Sequence, residues 1–163
     1  MTAKRYNKLS TVHRQLAFEA VDFFVDKMMP RLRNKLTIRI KGDTELLQRE
    51  GIYADCVDDD DDYENRNPRS FVIRVDTTVS LERFLATIMH ELVHVKQFAR
   101  GELRYVERGV GTHRWQSKSL DANKLDYYDL PWEIEAHGRE KGLTVQFLTK
   151  NPEWWEMVGD IQE

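Results

Sequence analysis

The sequence predicts an α+β fold: an N-terminal helix, a small mixed sheet of three strands, a helix carrying the pattern H-E-x-x-H, and a later glutamate-bearing helix. Three observations lead there. Apolar residues recur at spacings of three and four over residues 10–35 and again over 81–98, the period of an amphipathic helix. Between them, residues 36–41 alternate apolar and polar and residues 71–76 are rich in Val, Ile and Phe, as strands are. The chain has 163 residues, 40% of them hydrophobic, which suffices for one domain over residues 1–163 with a sizeable core.

In chain order, the first helix has Ser10 or Thr11 as its cap. Leu16, Ala20, Phe23, Phe24, Met28 and Leu32 form its apolar stripe. Pro30 should kink or shorten it. A strand follows at 36–41, a weaker one at 51–57 and a third at 71–76, with turns marked by Gly42-Asp43 and Asn67-Pro68. Residues 58–62 are five consecutive aspartates. They lack the spaced ligands and central glycine of an EF-hand loop. A solvated loop beside the cleft is the better reading of five carboxylates that repel one another.

The next helix opens at Ser80, a good N-cap, with Glu82 in its first turn. Leu81, Phe84, Leu85, Ile88, Leu92, Val95 and Phe98 supply its stripe, and Gly101 after Arg100 supplies a stop. A loop or short hairpin is expected around Gly109 and Gly111, then a polar turn over 121–129 carrying Tyr127 and Tyr128. Pro131 opens another helix toward Lys150, with Asp129 as candidate cap. Trp154 and Trp155 in a short last helix read as core or lid packing.

Composition narrows the class. The net charge is −3, which gives no general argument for nucleic acid or a membrane surface. No run approaches the ~18–20 apolar residues of a membrane span, and no signal-like apolar core follows the basic N-terminus. Cys56 is the only cysteine. It excludes an internal disulfide and a cysteine-rich zinc site, and it fits a reducing, cytoplasmic setting.

Within the second helix stands His90-Glu91-Leu92-Val93-His94. Histidines four apart project from one helical face, so both imidazoles reach a single zinc ion. Glu91 then touches a water held by that ion and acts as general base for attack on a carbonyl. A catalytic zinc takes three protein ligands. Glu133 is the first candidate for the third, since it shares a helical face with His137. Glu135 and a histidine are the alternatives. His137 would support a neighbouring carboxylate.

Residues 87–97 together with Pro131-Trp-Glu-Ile-Glu-Ala resemble the small SprT-like and minimal gluzincin-type zinc metallopeptidases, including small forms found in phages. The segments at 51–56 and 71–75 resemble the strands before the metal helix in that group, so the resemblance covers roughly residues 35–145. It implies a minimal zincin fold, His90, His94 and Glu133 as zinc ligands, and Glu91 as catalytic base. His113 is followed by Arg114 rather than glycine, unlike the third-histidine segment of SprT-like proteins. His137 stands where gluzincins often have aspartate.

The expected activity is zinc-dependent hydrolysis of peptide bonds in a protein or peptide substrate, in the cytoplasm or, for a viral chain, the host cytoplasm. His113, Tyr127 and Tyr128 are candidates to stabilise the oxyanion. Two other readings remain: a non-catalytic zinc-binding structural or interaction protein, and a nucleic-acid-associated protease using the basic stretches 31–35 and 100–108. Acidic residues interleave in those stretches, so nucleic acid is not indicated by charge alone. Oligomeric state is not legible.

Overall fold

The computed structural model describes residues 2–59, 67–106 and 111–159. The fold is α+β. The first helix, α1, spans Thr11–Met28, and the Ser10 hydroxyl accepts from the His13 N–H at 3.2 Å. Pro30 ends it: the chain turns once in a 3-10 geometry over Pro30–Leu32, so the apolar period that reaches Lys35 is not all helix.

All three expected strands form and lie side by side. β2 (Thr37–Asp43) pairs in parallel with β4 (Ser70–Asp76), and β3 (Ala54–Asp58) pairs antiparallel with β4. The sheet has a fourth strand the sequence pattern does not announce. β1 (Ala3–Asn7) adds in parallel to β2, giving the order β1-β2-β4-β3. Its residues are mostly polar, so no hydrophobic alternation marks it. It is held by backbone bonds and by Lys4, which pairs with Asp22 and lies 3.6 Å over the Phe18 ring. β4 is central, with Phe71, Ile73 and Val75 fully buried.

The turn expected at Gly42-Asp43 is instead strand. A Cβ on Gly42 would lie 2.3 Å from the Lys8 carbonyl oxygen and 2.8 Å from Leu9. Glycine is therefore there for close backbone approach. A short helix, α2 (Leu46–Glu50), also went unread; Gly51 closes it at φ +71°. The buried Asp76 carboxylate, at the end of β4, accepts from the N–H groups of Leu47 (2.7 Å) and Thr78 (2.8 Å). Burial raises its pKa, but these hydrogen bonds outweigh that and hold it below the usual range.

The H-E-x-x-H helix, α3, spans Leu81–Ala99. Ser80 accepts from the Arg83 N–H at 3.2 Å, and Gly101 lies just beyond the end at φ +70°. After it, β5 (Leu103–Tyr105), β6 (Thr112–Trp115) and β7 (Lys118–Asp121) make a second, antiparallel sheet. Its first pair is the expected hairpin; the third strand was not foreseen. The hairpin tip around Gly109 and most of the aspartate run, from Asp60 on, lie outside the described residues.

α4 spans Pro131–Lys150. Asp129 does not cap it: Leu130 occupies that position, while Asp126 caps the preceding 3-10 turn through the Tyr128 N–H at 3.0 Å. α5 (Trp155–Val158) closes the described chain, and Trp154 donates to Glu19 of α1 at 2.7 Å. One hydrophobic cluster joins α1, the first sheet, α3 and α4, with Trp154 inside it and Trp155 against it. Among the described residues no helix is long and apolar enough to cross a membrane.

Two glycines should respond oppositely to alanine. Gly42→Ala forces Cβ into backbone and should cost at least ~1–3 kcal/mol, by the usual cost of overpacking. Gly138 lies inside α4, where an added Cβ would meet nothing within 4 Å. Gly138→Ala should therefore gain about 0.5–1 kcal/mol. Urea unfolding monitored by circular dichroism measures both.

Candidate metal centre

Packing of α4 across α3 decides where the centre forms. His90 and His94 stand one turn apart on α3, and Glu133 enters from the first turn of α4. All three are buried. The two Nε2 atoms lie 3.2 Å apart, and the Glu133 oxygens lie 3.3 Å from His90 Nε2 and 3.4 Å from His94 Nε2. These side chains are close enough to hold a metal ion.

Their partners set which atoms point inward. His90 Nδ1 lies 2.8 Å from a Glu140 oxygen, which as a carboxylate only accepts, so Nδ1 carries the proton. His94 Nδ1 lies 2.8 Å from Gln97 Oε1. The Gln97 amide cannot be flipped, because its nitrogen donates to the Trp132 carbonyl (3.0 Å) and to Glu135 (2.9 Å). His94 Nδ1 is therefore also a donor. Both neutral rings turn Nε2 lone pairs toward each other and toward a carboxylate, an arrangement that calls for a cation. The fit is one of donor chemistry as well as distance: two imidazoles and a carboxylate suit a borderline divalent metal.

Without a metal the same cluster draws protons. Burial lowers the histidines, but hydrogen bonds to Glu133 and Glu140 outweigh it and push His90 up to about 9; His94 is also raised. Burial raises Glu133, yet the two histidines and Tyr127 pull it well below the carboxylate range. Burial pushes Glu91 up to about 7 against the pull of His94 and His90.

Glu133 and Glu135 part company. Glu135 accepts from Lys96, Gln97 and Arg139 and belongs to the network behind His94. Tyr127 donates to Glu133 at 2.6 Å, which engages its hydroxyl as a support for that carboxylate. Tyr128 is 70% exposed and lines the cleft with His90, Glu91, Tyr53 and His137. His113 is not in that lining: it bonds the Gly111 carbonyl at 2.9 Å and stacks near Trp132 and Tyr105.

Sequence reasoning missed Gln97 and Glu140. Their spacings were a signal, since Gln97 is three residues after His94 and Glu140 seven after Glu133, on the same faces. The basic stretches do meet, with Arg31 and Arg100 lining one groove beside Arg69. There Arg69 donates to the Pro68 and Ala99 carbonyls and Arg100 pairs with Glu102.

Comparison with known proteins returns no matching family model, no matching curated protein and no matching solved structure.

Removing either support should loosen the centre. Gln97→Leu and Glu140→Gln should each weaken metal binding by roughly 10–100-fold, read by competition with a chromogenic chelator. Because Glu133 and Glu140 push His90 up to about 9 in the metal-free chain, binding should release protons and tighten as pH rises from neutrality. Calorimetry in buffers of differing ionisation enthalpy counts those protons.

Proposed function

We propose that the chain is a zinc-dependent peptidase of the H-E-x-x-H class, in line with its resemblance to SprT-like and gluzincin-type enzymes. The observation that carries this is Glu91. Its carboxylate is buried at the cleft beside the ligand cluster, and among the described residues no side chain or backbone group hydrogen-bonds it. A carboxylate placed there carries a desolvation cost that no protein hydrogen bond offsets. A metal site that only braces the fold gains nothing from it, whereas a hydrolase needs a base there. This disfavours the non-catalytic zinc module.

Zinc is favoured by the donor set, two imidazoles and a carboxylate with no thiolate, which suits it among divalent ions.

Bound at these three residues, zinc supplies a Lewis acid and an acidified water. Glu91, buried beside that position, would take the water's proton and return it to the leaving amine. Tyr128, exposed at the cleft, is the remaining sequence candidate for donating to the oxyanion. The outer strand β3 positions the substrate. Tyr53 and Asp59 bond inward to β4, so alternation turns the backbone groups of Ala54 and Cys56 outward, without a backbone partner among the described residues and of the kind an extended peptide pairs with. A nucleic-acid-associated role draws no support from the Arg31–Arg100 groove, where carbonyls and Glu102 engage two of its three guanidinium groups.

Glu91→Gln should keep one zinc per chain and lose ~10²–10⁴-fold in hydrolysis of an unfolded protein substrate. His94→Ala should lose both. Zinc-loaded wild type that cleaves no unfolded substrate, or an E91Q variant that cleaves normally, refutes the proposal.

A further inference from the structure

α4 carries a stripe at 133, 137 and 140, and only the first of these faces the metal centre directly. The Glu140 oxygen that accepts from His90 Nδ1 at 2.8 Å lies 3.5 Å from His137 Nδ1. The His137 ring stands 4.5 Å from the His90 ring, with the Tyr127 and Tyr128 rings at 6.0 and 5.7 Å on its other sides. His137 and Glu140 both line the cleft, and both are partly exposed. His90, His137 and Glu140 thus form a second group whose donor atoms all approach within 4.8 Å.

The geometry points to a second, weaker divalent-cation site at His137 Nδ1, Glu140 and His90 Nδ1, which regulates the first by filling the cleft. A cation of zinc type replaces the proton that His90 Nδ1 now donates to Glu140, and that proton leaves to solvent. His90, left as an imidazolate, would then offer one ring nitrogen to each metal. The His137–Glu140 spacing is near the ~3.3 Å edge of a tetrahedral zinc site. The His90–Glu140 hydrogen bond must open by about 0.5 Å to match that edge. That displacement, and the exposure of two of the donors, make this site the weaker. Its occupant stands against Tyr128 and the wall of the cleft, where substrate would lie. Excess zinc therefore suppresses hydrolysis.

The inference rests on a metal at His90, His94 and Glu133, and the test separates the two. Zinc is titrated calorimetrically into the full chain, metal-free and after loading with one equivalent. The expected result is two events in the wild type, the second weaker and releasing about one further proton, with His137→Ala keeping the first and losing the second. His137→Gln, closer in size, guards against a folding defect. In a parallel assay, zinc beyond one equivalent should inhibit the wild type and not these variants. Loss of the first event sinks the metal reading and this inference with it. A first event alone in wild type, or a second one that survives His137→Ala unchanged, overturns this inference only.

Discussion

The direction of two imidazole protons governs this molecule. Each histidine of the H-E-x-x-H turn gives its Nδ1 proton to an acceptor behind it, His90 to Glu140 and His94 to Gln97. Each must then present a bare Nε2 to the same small volume, where Glu133 adds further lone pairs. In a buried setting such a convergence is costly unless a cation or protons sit in it. The raised histidines and the depressed Glu133 are that cost expressed as proton affinity.

The convergence depends on how α4 is registered against α3, and a buried charge network sets that register. Lys96, two residues past His94, is 4% exposed. It pairs with Glu135 of α4 and, at 3.0 Å, with Glu102. Burying an ammonium costs several kcal/mol, which only close partners offset. Sliding α4 by a turn would leave the buried Lys96 with Glu102 alone and the Gln97 amide without its two acceptors. Glu135 therefore acts at one remove: it fixes Gln97, and Gln97 fixes His94. Its neighbour two residues earlier, on another face of the helix, reaches the metal position instead.

Much of this was legible in residues whose role is local. Ser80, the three-and-four spacing through Phe98, and Gly101 bounded α3 because caps and periodicity act within one helix. The pairing of His90 with His94 followed from the same geometry. What escaped depended on neighbours distant in sequence. β1 has no apolar alternation to announce it, and its pairing with β2 is visible only once α1 has crossed over. Gly42 looks like a turn residue until Lys8 is brought against it. Tyr127 and Tyr128 are equivalent in sequence, yet the 3-10 turn that Asp126 caps sends one to Glu133 and the other to solvent. Choosing between Glu133 and Glu135 likewise required knowing which face of α4 meets α3.

Positions 137 and 140 divide two tasks on one helical stripe. The carboxylate that backs His90 comes not from 137 but from Glu140, nearly one turn further along the same face. The Glu140 side chain spans that distance, so His90 has an anionic partner and His94 a neutral amide. The two ligands therefore differ: a carboxylate behind an imidazole makes it the stronger donor. With that support supplied from 140, His137 faces the cleft. One helical stripe thus delivers a ligand, a cleft-facing imidazole and a supporting carboxylate at intervals of four and three. Because all three ride on α4, any shift of that helix alters ligand, cleft and support together. The Lys96–Glu135 pairing that holds α4 in place is consequently as much a part of the centre's chemistry as the residues that would hold a metal.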